Sequence, residues 1–374
     1  MKEGTKVTPW DVSGEIDYER LIKEFGIKPL PENLPEEFNK NLLFRRKIIF
    51  AHRDFERIVD AVKNKKKFVM MTGLMPSGKF HLGHMLVAQQ MVFYQNLGAK
   101  LYITVADLES YSTRQKNFEE MKKTAVEQYL TNYIALGLKP KNLDFYFQSE
   151  RSNEAKKSNA YYRLASNLSR YATFNEFKAI YGEISPAKMS ASLTQSADML
   201  QPQLPEFEGK PTPTVVPVGI DQDPHIRIAR DMSARFKDYK FMQLSSTYHL
   251  FFPGLKGSGK MSSSDETSYI AMTDTEKEVE TKIKKYAFSG GKDTLEEHRK
   301  HGGNPDIDVS FQYLKFFFEP DDKKLQKIHD DYKSGKLLTS ELKTILIEKI
   351  NAFLKEHRKK REKAKKEVGK FLVK

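Results

Sequence analysis

The sequence predicts an α/β protein: a Rossmann-like parallel-sheet domain with a helical insertion, followed by an all-helical C-terminal domain. Three observations lead to this fold class. Strand-like apolar runs alternate with helical segments between residues 68 and 236. The stretch from about 152 to 201 has helical patterns and no clear strand. Strand patterns stop after about residue 270. An alternation of strands and helices is typical of parallel sheets joined by crossover helices.

The elements of the predicted sheet follow in order along the chain. FVMMTGL (68–74) is a buried strand, and the helix after its loop ends before Gly98, a residue type that commonly closes helices. Further predicted strands are 100–107, 142–149 and 214–220, and the predicted helices are 81–97, 118–137 and 223–236. The pattern of residues 275–374 predicts helices that are interrupted at SGGKD and HGGNPD.

These patterns divide the chain into three predicted parts. Residues 1–50 are polar and proline-punctuated, and we interpret them as an appended N-terminal segment. Residues 51–270 form the α/β domain, with the helical insertion at about 152–201, and residues 271–374 form the helical domain.

Composition limits the class of protein. The chain has no cysteine, which excludes disulfides and thiolate metal sites and favours a cytoplasmic location. It contains no apolar run near the ~20 residues of a membrane span. Its polar start is unlike a signal peptide. Lys and Arg number 63 against 50 Asp and Glu, and KEHRKKREKAKK (355–366) concentrates part of this excess. A polyanionic partner and a solvated terminal helix both explain that run.

The stretch PSGKFHLGHM (76–85) follows the first predicted strand and opens a helix. Ligands of parallel sheets bind at the carboxyl ends of strands, and a helix N-terminus attracts phosphate. His81 and His84 would share a face of the first helical turn. Zinc is disfavoured, because neither HExxH nor a nearby cysteine supplies further ligands. Phosphate binding and simple packing under the loop both remain open on this stretch alone.

A second unusual stretch is GSGKMSSSDE (257–266), a Gly/Ser-rich loop after the last strand, in which one lysine and one methionine are followed by three serine hydroxyls. Such a loop suits a charge that approaches phosphates and then leaves. A plain flexible linker is the alternative, although a linker has no need for Lys260 and Met261.

HLGH after the first strand, joined to KMSSS after the last, resembles the HIGH and KMSKS signatures of class I aminoacyl-tRNA synthetases. Three longer stretches resemble the archaeal and eukaryotic tryptophanyl-tRNA synthetases within that class. They are VTPWDVSGEIDYERLIKEFG (7–26), VPVGIDQDPHIRIARD (216–231) and AFSGGKDTLEEHRKHGGNPDIDVSFQYL (287–314).

The resemblance implies roles for individual residues. His81, His84 and Lys260 would be catalytic, facing the phosphates and the charge that develops on pyrophosphate. Asp221 would bind the ribose hydroxyls. The other ATP-binding positions would be Pro76, Ser77, Gly78, Lys79, Gly83, Met261, Ser262, Ser263 and Ser264. Tryptophan would be bound by Glu109, Gln195, Asp198 and Gln222, although an ordinary polar helix face is the alternative for Gln195 and Asp198.

The chain departs from the family pattern at several positions. KMSSS contains a single lysine where KMSKS has two, and Met71 and Thr104 stand where eukaryotic members carry Tyr and Gln. The indole contacts of those members therefore cannot be transferred, and Asp198 is the better candidate acceptor for the indole N–H.

The substrates of the implied reaction are ATP, L-tryptophan and tRNA(Trp). Mg²⁺ would arrive bound to ATP, without a dedicated site on the protein. The resemblance further implies a cytoplasmic homodimer whose helical C-terminal domain reads the anticodon. The alternatives are a tyrosine–tRNA ligase and a nucleotidyltransferase of the same fold that is not a synthetase.

Overall fold

The computed structural model describes residues 18–114, 117–257, 259, 261 and 265–372, together with the backbone of residues 6–7 and 12–13. In the part described, the strands are β1 Lys6–Val7, β2 Val12–Ser13, β3 Lys28–Pro29, β4 Ile49–Arg53, β5 Val69–Leu74, β6 Lys100–Val105, β7 Leu143–Phe147, β8 Thr214–Gly219 and β9 Ser245–His249.

The α-helices of the N-terminal and sheet-forming part are α1 Tyr18–Phe25, α2 Glu36–Lys40, α3 Leu42–Arg45, α4 Glu56–Lys63, α5 Leu82–Asn96, α6 Asp107–Arg114, α7 Phe118–Thr124, α8 Thr131–Leu136, α9 Ala155–Leu168, α10 Phe174–Tyr181, α11 Pro186–Leu200 and α12 Asp223–Arg235. A π-helical turn, Ala125–Leu130, joins α7 to α8. The C-terminal helices are α13 Glu276–Tyr286, α14 Leu295–His301, α15 Val309–Tyr313, α16 Asp322–Lys333 and α17 Thr339–Lys365, with a second π-helical turn at Leu314–Phe318.

The main sheet has seven strands in the order β3-β4-β9-β8-β5-β6-β7. The five strands from β9 to β7 are parallel, whereas β4 pairs antiparallel with both β9 and β3. Strands β6 and β7 extend the sheet on one side of β5, and β8 and β9 extend it on the other. The order therefore reverses between β5 and β8, and ligands of open α/β sheets bind at such a reversal.

Strands β5 and β8 pair over a short distance. Their register joins Val69 to Thr214 and Met70 to Val215, at the starts of two strands that are described throughout their length. Beyond these pairs the two strands part toward their carboxyl ends. The parting opens the sheet between them and makes room for a cavity.

The N-terminal segment packs into this architecture. Residues Lys28 and Pro29 pair with β4, and Phe38, Leu43 and Phe44 belong to the main apolar core. The predicted boundary after residue 50 thus does not coincide with a gap in packing. The segment is held against the rest of the protein because these apolar side chains are buried in the core, although its surface is polar.

The C-terminal helices share the same core. Side chains on both sides of residue 270, among them Met91, Phe252, Phe316 and Leu354, form one contiguous apolar cluster. Helix α17 buries a stripe that includes Leu342, Leu346, Ile350 and Leu354. The apolar core is therefore continuous across residue 270. The division of the chain at that residue is a proposal about function.

The α/β fold class predicted from the sequence is confirmed. Predicted strands 68–74, 100–107, 142–149 and 214–220 are β5, β6, β7 and β8, and the insertion contains α9, α10 and α11. The antiparallel edge is a correction, because the sequence patterns indicated a parallel sheet and did not predict β3, β4 or β9. In the residues that the model covers, no helix is both long enough and apolar enough to cross a membrane.

Gly302 closes α14 in the HGGNPD break and gives a stability prediction. Its φ and ψ are 67° and 173°, a region nearly exclusive to glycine. An added Cβ would lie 1.8 Å from the carbonyl oxygen of Lys333. We expect Gly302→Ala to lower the free energy of unfolding by more than about 2 kcal/mol, since backbone strain and overlap add.

The measurement is urea denaturation followed by circular dichroism. Gly369→Ala is the matched control, because a Cβ there meets no heavy atom within 4 Å. Equal midpoints for the two variants would contradict the assigned strain.

Candidate functional site

A cavity of about 960 Å³ lies where β5 and β8 part. Both strands contribute to its wall through residues 71–74 and 216–219. Its volume is at the upper end of the range for small-molecule sites, about 300–1,000 Å³, and is large enough for a nucleotide beside an amino acid.

The HLGH motif forms one wall of the cavity through the N-terminus of α5. His81 is the N-cap residue, and its Nδ1 accepts the backbone N–H of Gly83 at 3.2 Å. His84 Nδ1 accepts the backbone N–H of His81, also at 3.2 Å. The two rings stack with centroids 3.8 Å apart. Reciprocal capping therefore fixes both imidazoles at the start of the helix.

Both imidazoles are neutral near pH 7. Burial lowers the pKa of His84 to about 4. Burial, and secondly the neighbouring His84, hold the pKa of His81 well below its usual value. Since Nδ1 accepts a hydrogen bond in each ring, the proton of each neutral ring lies on Nε2. The motif thus offers N–H donors and a helix N-terminus, without a fixed positive charge.

Hydrogen bonds join the HLGH segment to the chain that follows KMSSS. The N–H of Leu82 donates to the carbonyl of Ile270 at 3.0 Å, and the N–H of Met272 donates to the carbonyl of Phe80 at 2.9 Å. Met261 is buried and lines the cavity. The predicted residues Lys260, Ser262, Ser263 and Ser264 lie outside the described residues.

The GIDQ turn follows β8 and faces the same cavity. Asp221 and Gln222 line it, and the Gln222 amide donates to Asp221 Oδ2 at 3.0 Å. The next residue, Asp223, is buried at the start of α12, where Arg53 of β4 donates to both of its carboxylate oxygens at 2.8 and 2.9 Å. This bidentate pair anchors the turn that carries Asp221.

Asp198 of α11 lines the same cavity and is almost fully buried. Its Oδ1 accepts the hydroxyls of Tyr146 and Tyr161 at 2.7 and 2.8 Å, and its Oδ2 accepts the amide of Gln148 at 2.7 Å. A carboxylate oxygen has about two lone-pair positions. Oδ1 is therefore saturated, and Oδ2 retains room for one further donor.

Glu109 of α6 and Gln195 of α11 line the cavity beside Asp198. Burial, and secondly the charge of Asp198, raise the pKa of Glu109 to about 7, against the opposing effect of Arg114. Burial also raises the pKa of Asp198 to about 6, even though three hydrogen bonds favour its ionised form. Buried carboxyl groups with displaced pKa values are characteristic of functional sites.

The structure brings together most of the predicted site residues that it describes. Those that line the cavity are Pro76, Ser77, Gly78, His81, Gly83, His84, Glu109, Gln195, Asp198, Asp221, Gln222 and Met261. Lys79 is the exception, since it points to the surface and forms an ion pair with Glu266 at 2.9 Å.

Sequence reasoning missed the residues around Asp198. Gln148 follows directly after β7, so the rule that ligands lie at the carboxyl ends of parallel strands could have identified it. Tyr146 and Tyr161 carried no such signal, because their hydroxyls reach Asp198 from within a strand and from the middle of a helix. His225 also lines the cavity, and its Nδ1 lies 2.7 Å from the hydroxyl of Tyr181.

Comparison with known proteins agrees with this geometry. The family model for class I tRNA synthetases (W and Y) matches residues 63–355. The chain belongs to this family. The tryptophan–tRNA ligase of Methanocaldococcus jannaschii is 44% identical over 371 residues, covering 98% of each chain. That of Aeropyrum pernix is 42% identical over 365 residues, covering 96% of each.

Solved structures of class I tRNA synthetases have the same architecture. The crystal structure of tryptophanyl-tRNA synthetase from Aeropyrum pernix superposes with a TM-score of 0.89 at 42% identity, covering 95% of this chain and 96% of that one. The enzyme from Giardia lamblia gives 0.85 at 30% identity, covering 96% of each chain. The predicted resemblance to the tryptophanyl-tRNA synthetases of this class is therefore confirmed.

Proposed function

We propose that this chain is a tryptophan–tRNA ligase, which forms tryptophanyl-AMP and pyrophosphate from tryptophan and ATP and then transfers tryptophan to the 3′ end of tRNA(Trp). One observation carries the proposal. A single cavity has the paired neutral imidazoles of a class I synthetase on one wall and the buried acceptor Asp198 on another. Relatives that match nearly the whole chain are tryptophan–tRNA ligases.

ATP occupies the wall formed by the loop 75–81, the start of α5 and the GIDQ turn. The Nε2–H groups of His81 and His84 donate to phosphate oxygens, and the dipole of the helix N-terminus favours the negative charge of the phosphates. Asp221 accepts the ribose hydroxyls. Lys260 and the serines of KMSSS approach the phosphates from the other motif, which Met261 anchors in the cavity wall. Mg²⁺ enters with ATP on its phosphate oxygens, and no residue of the chain is assigned to the ion.

Tryptophan occupies the end of the cavity near Asp198. The indole N–H donates to Asp198 Oδ2, the oxygen with one acceptor position left. Glu109, Gln195 and Gln222 line the same cavity and complete the amino-acid site, where the α-ammonium group needs acceptors. Met71 and Thr104 also line the cavity and leave room for a two-ring side chain.

Adenylation needs no protein nucleophile or general base, because the amino-acid carboxylate is already ionised. One of its oxygens forms a bond to the α-phosphorus of ATP, and the bond from that phosphorus to the bridging oxygen breaks, with pyrophosphate leaving. Catalysis consists of positioning and of stabilising charge on the leaving group. The neutral histidines donate hydrogen bonds, and Lys260 supplies the positive charge.

The remaining assignments follow the family resemblance. Residues 271–374 read the anticodon, since single-stranded bases in loops are open to sequence-specific recognition. The enzyme acts in the cytoplasm as a homodimer. These assignments, and the division of the chain at residues 50 and 270, belong to the proposal.

Amino-acid specificity tests the proposed function directly. In ATP–pyrophosphate exchange with each of the twenty amino acids, we expect tryptophan to be strongly preferred, tyrosine to react little and phenylalanine almost not at all. A buried acceptor that is left unpaired disfavours a ring without a donor. Asp198→Ala should lower kcat/KM for tryptophan at least about tenfold. Exchange driven by tyrosine would instead identify a tyrosine–tRNA ligase.

The pH dependence of tryptophan use follows from the two carboxyl groups. Both are ionised above pH 7, and Glu109 and then Asp198 take up protons as the pH falls through about 7 and about 6. Since protonation removes acceptor capacity and charge, kcat/KM for tryptophan should fall stepwise from pH 8 to pH 5. Pyrophosphate exchange in a series of buffers of constant ionic strength measures this profile.

Asp198→Asn provides the control for that profile. The step near pH 6 should vanish, and the remaining step should move below pH 7, because the charge of Asp198 contributes to the raised pKa of Glu109. An unchanged two-step profile in the variant would contradict the assignment.

The basic surplus gives a prediction for tRNA. On α17, Lys359 and Lys365 pair with Glu356 and Glu362 at 2.8 and 2.6 Å, so part of the run is internally neutralised. If the rest contacts phosphates, tRNA affinity should fall linearly on a log–log plot against salt. Pyrophosphate exchange should depend on salt much less. Equal salt dependence of the two activities would indicate a solvated face instead.

A further inference from the structure

Tyr129 lies behind the nucleotide wall, in the π-helical turn Ala125–Leu130 that joins α7 to α8. Its side chain is almost fully buried and its hydroxyl accepts the backbone N–H of Ser77 at 3.3 Å. Burial raises the pKa of Tyr129, so the hydroxyl stays protonated across the working pH range. Ser77 belongs to the loop that leads from β5 into HLGH.

The ring of Tyr129 touches the other end of the same motif. It packs edge-on against His84, with centroids 5.1 Å apart and planes at 64°. It also meets Phe80 edge-on at 5.5 Å. One side chain therefore contacts the loop at Ser77 and the imidazole of His84, whose Nδ1 holds the N–H of His81.

Helix α17 also holds this helical segment, through two hydrogen bonds. His357 Nε2 and Asn132 Oδ1 form a buried hydrogen bond of 2.7 Å. Arg361 donates to the carbonyl of Glu127 at 3.0 Å, within the π-helical turn itself. Burial, and secondly the nearby charge of Arg361, lower the pKa of His357 to about 4, so this ring is neutral near pH 7.

Tyr133 serves as a control for the role of the Tyr129 hydroxyl. It lies one turn after Tyr129 on the same face and also packs edge-on against Phe80 at 5.5 Å. Its hydroxyl forms no hydrogen bond with any residue that the structure describes, whereas the hydroxyl of Tyr129 binds Ser77. The two tyrosines thus share the contact with Phe80, and replacing either by phenylalanine keeps the ring and removes only the hydroxyl.

We infer that Tyr129 is a positioning residue for adenylation, which sets the loop at Ser77 against His84 and is itself held in place by α17. The inference rests on the proposed role of this loop in ATP binding. Tyr129 is not among the residues that line the cavity, and it acts by keeping the N–H donors of the motif in one arrangement. Preorganised donors of this kind lower the barrier because they do not reorganise during the reaction.

The first experiment compares Tyr129→Phe with Tyr133→Phe. Each variant keeps its ring and loses one oxygen, so both should fold. We expect Tyr129→Phe to lower kcat/KM for ATP in pyrophosphate exchange about five- to tenfold, the range of one lost hydrogen bond. The KM for tryptophan should stay constant, and Tyr133→Phe should behave as wild type. Equal kinetics of the two variants would overturn the inference.

His84→Ala separates this inference from the proposed function. A loss of exchange of about 10²-fold or more supports the role of the HLGH motif in ATP activation. Full exchange by His84→Ala would remove the proposed role of the motif itself. A damaged His84→Ala together with an unaffected Tyr129→Phe would overturn the positioning role of Tyr129 alone.

A double-mutant cycle tests the connection to α17 without tRNA in the assay. His357→Leu removes the hydrogen bond to Asn132, and His357→Gln offers a replacement donor. We expect His357→Leu to lower kcat/KM for ATP about threefold, His357→Gln to restore it, and His357→Leu to add little in the Tyr129→Phe background. Fully additive effects of the two substitutions would show that α17 does not act through Tyr129.

Discussion

The parting of β5 and β8 after Met70 and Val215 is the constraint on which the site depends. If these strands stayed paired to their ends, the residues that now form the cavity wall would face each other across a closed ladder. Because they part, the carboxyl ends of two neighbouring parallel strands stand on opposite sides of a cavity of about 960 Å³. The HLGH motif follows one strand and the GIDQ turn follows the other, so the groups that we propose to bind the nucleotide converge from sequence positions far apart.

Burial determines the charge of the groups around this cavity. It keeps His84 neutral near pH 7, with a pKa of about 4, and raises the pKa of Glu109 and Asp198 to about 7 and 6. The two imidazoles therefore offer hydrogen-bond donors without a permanent cation. We propose that Lys260 in the Gly/Ser-rich loop supplies the positive charge for the departing pyrophosphate.

The sequence predicted what local pattern determines. Strands β5 to β8 are apolar runs between turns, and His81 begins its helix because Nδ1 can cap it. The local sequence pattern did not predict the features that depend on contacts between residues far apart in the sequence. Strands β3, β4 and β9 gain their partners from other parts of the sheet, and the tyrosines on Asp198 lie 52 and 37 residues from it. Lys79 pairs at the surface with Glu266, which is 187 residues away in the sequence.

The shared core has a mechanical consequence for the two halves of the chain. Besides the contacts behind Tyr129, Arg358 of α17 donates to the carbonyl of Asp274 at 2.9 Å, and the carboxylate of Asp274 accepts the N–H of Ala271 at 3.0 Å. Ala271 in turn forms a β-bridge with His81. Helix α17 therefore reaches the HLGH motif by two routes, one through each neighbouring segment. A shift of that helix would displace both supports of the imidazoles together, because the packed core between them transmits strain.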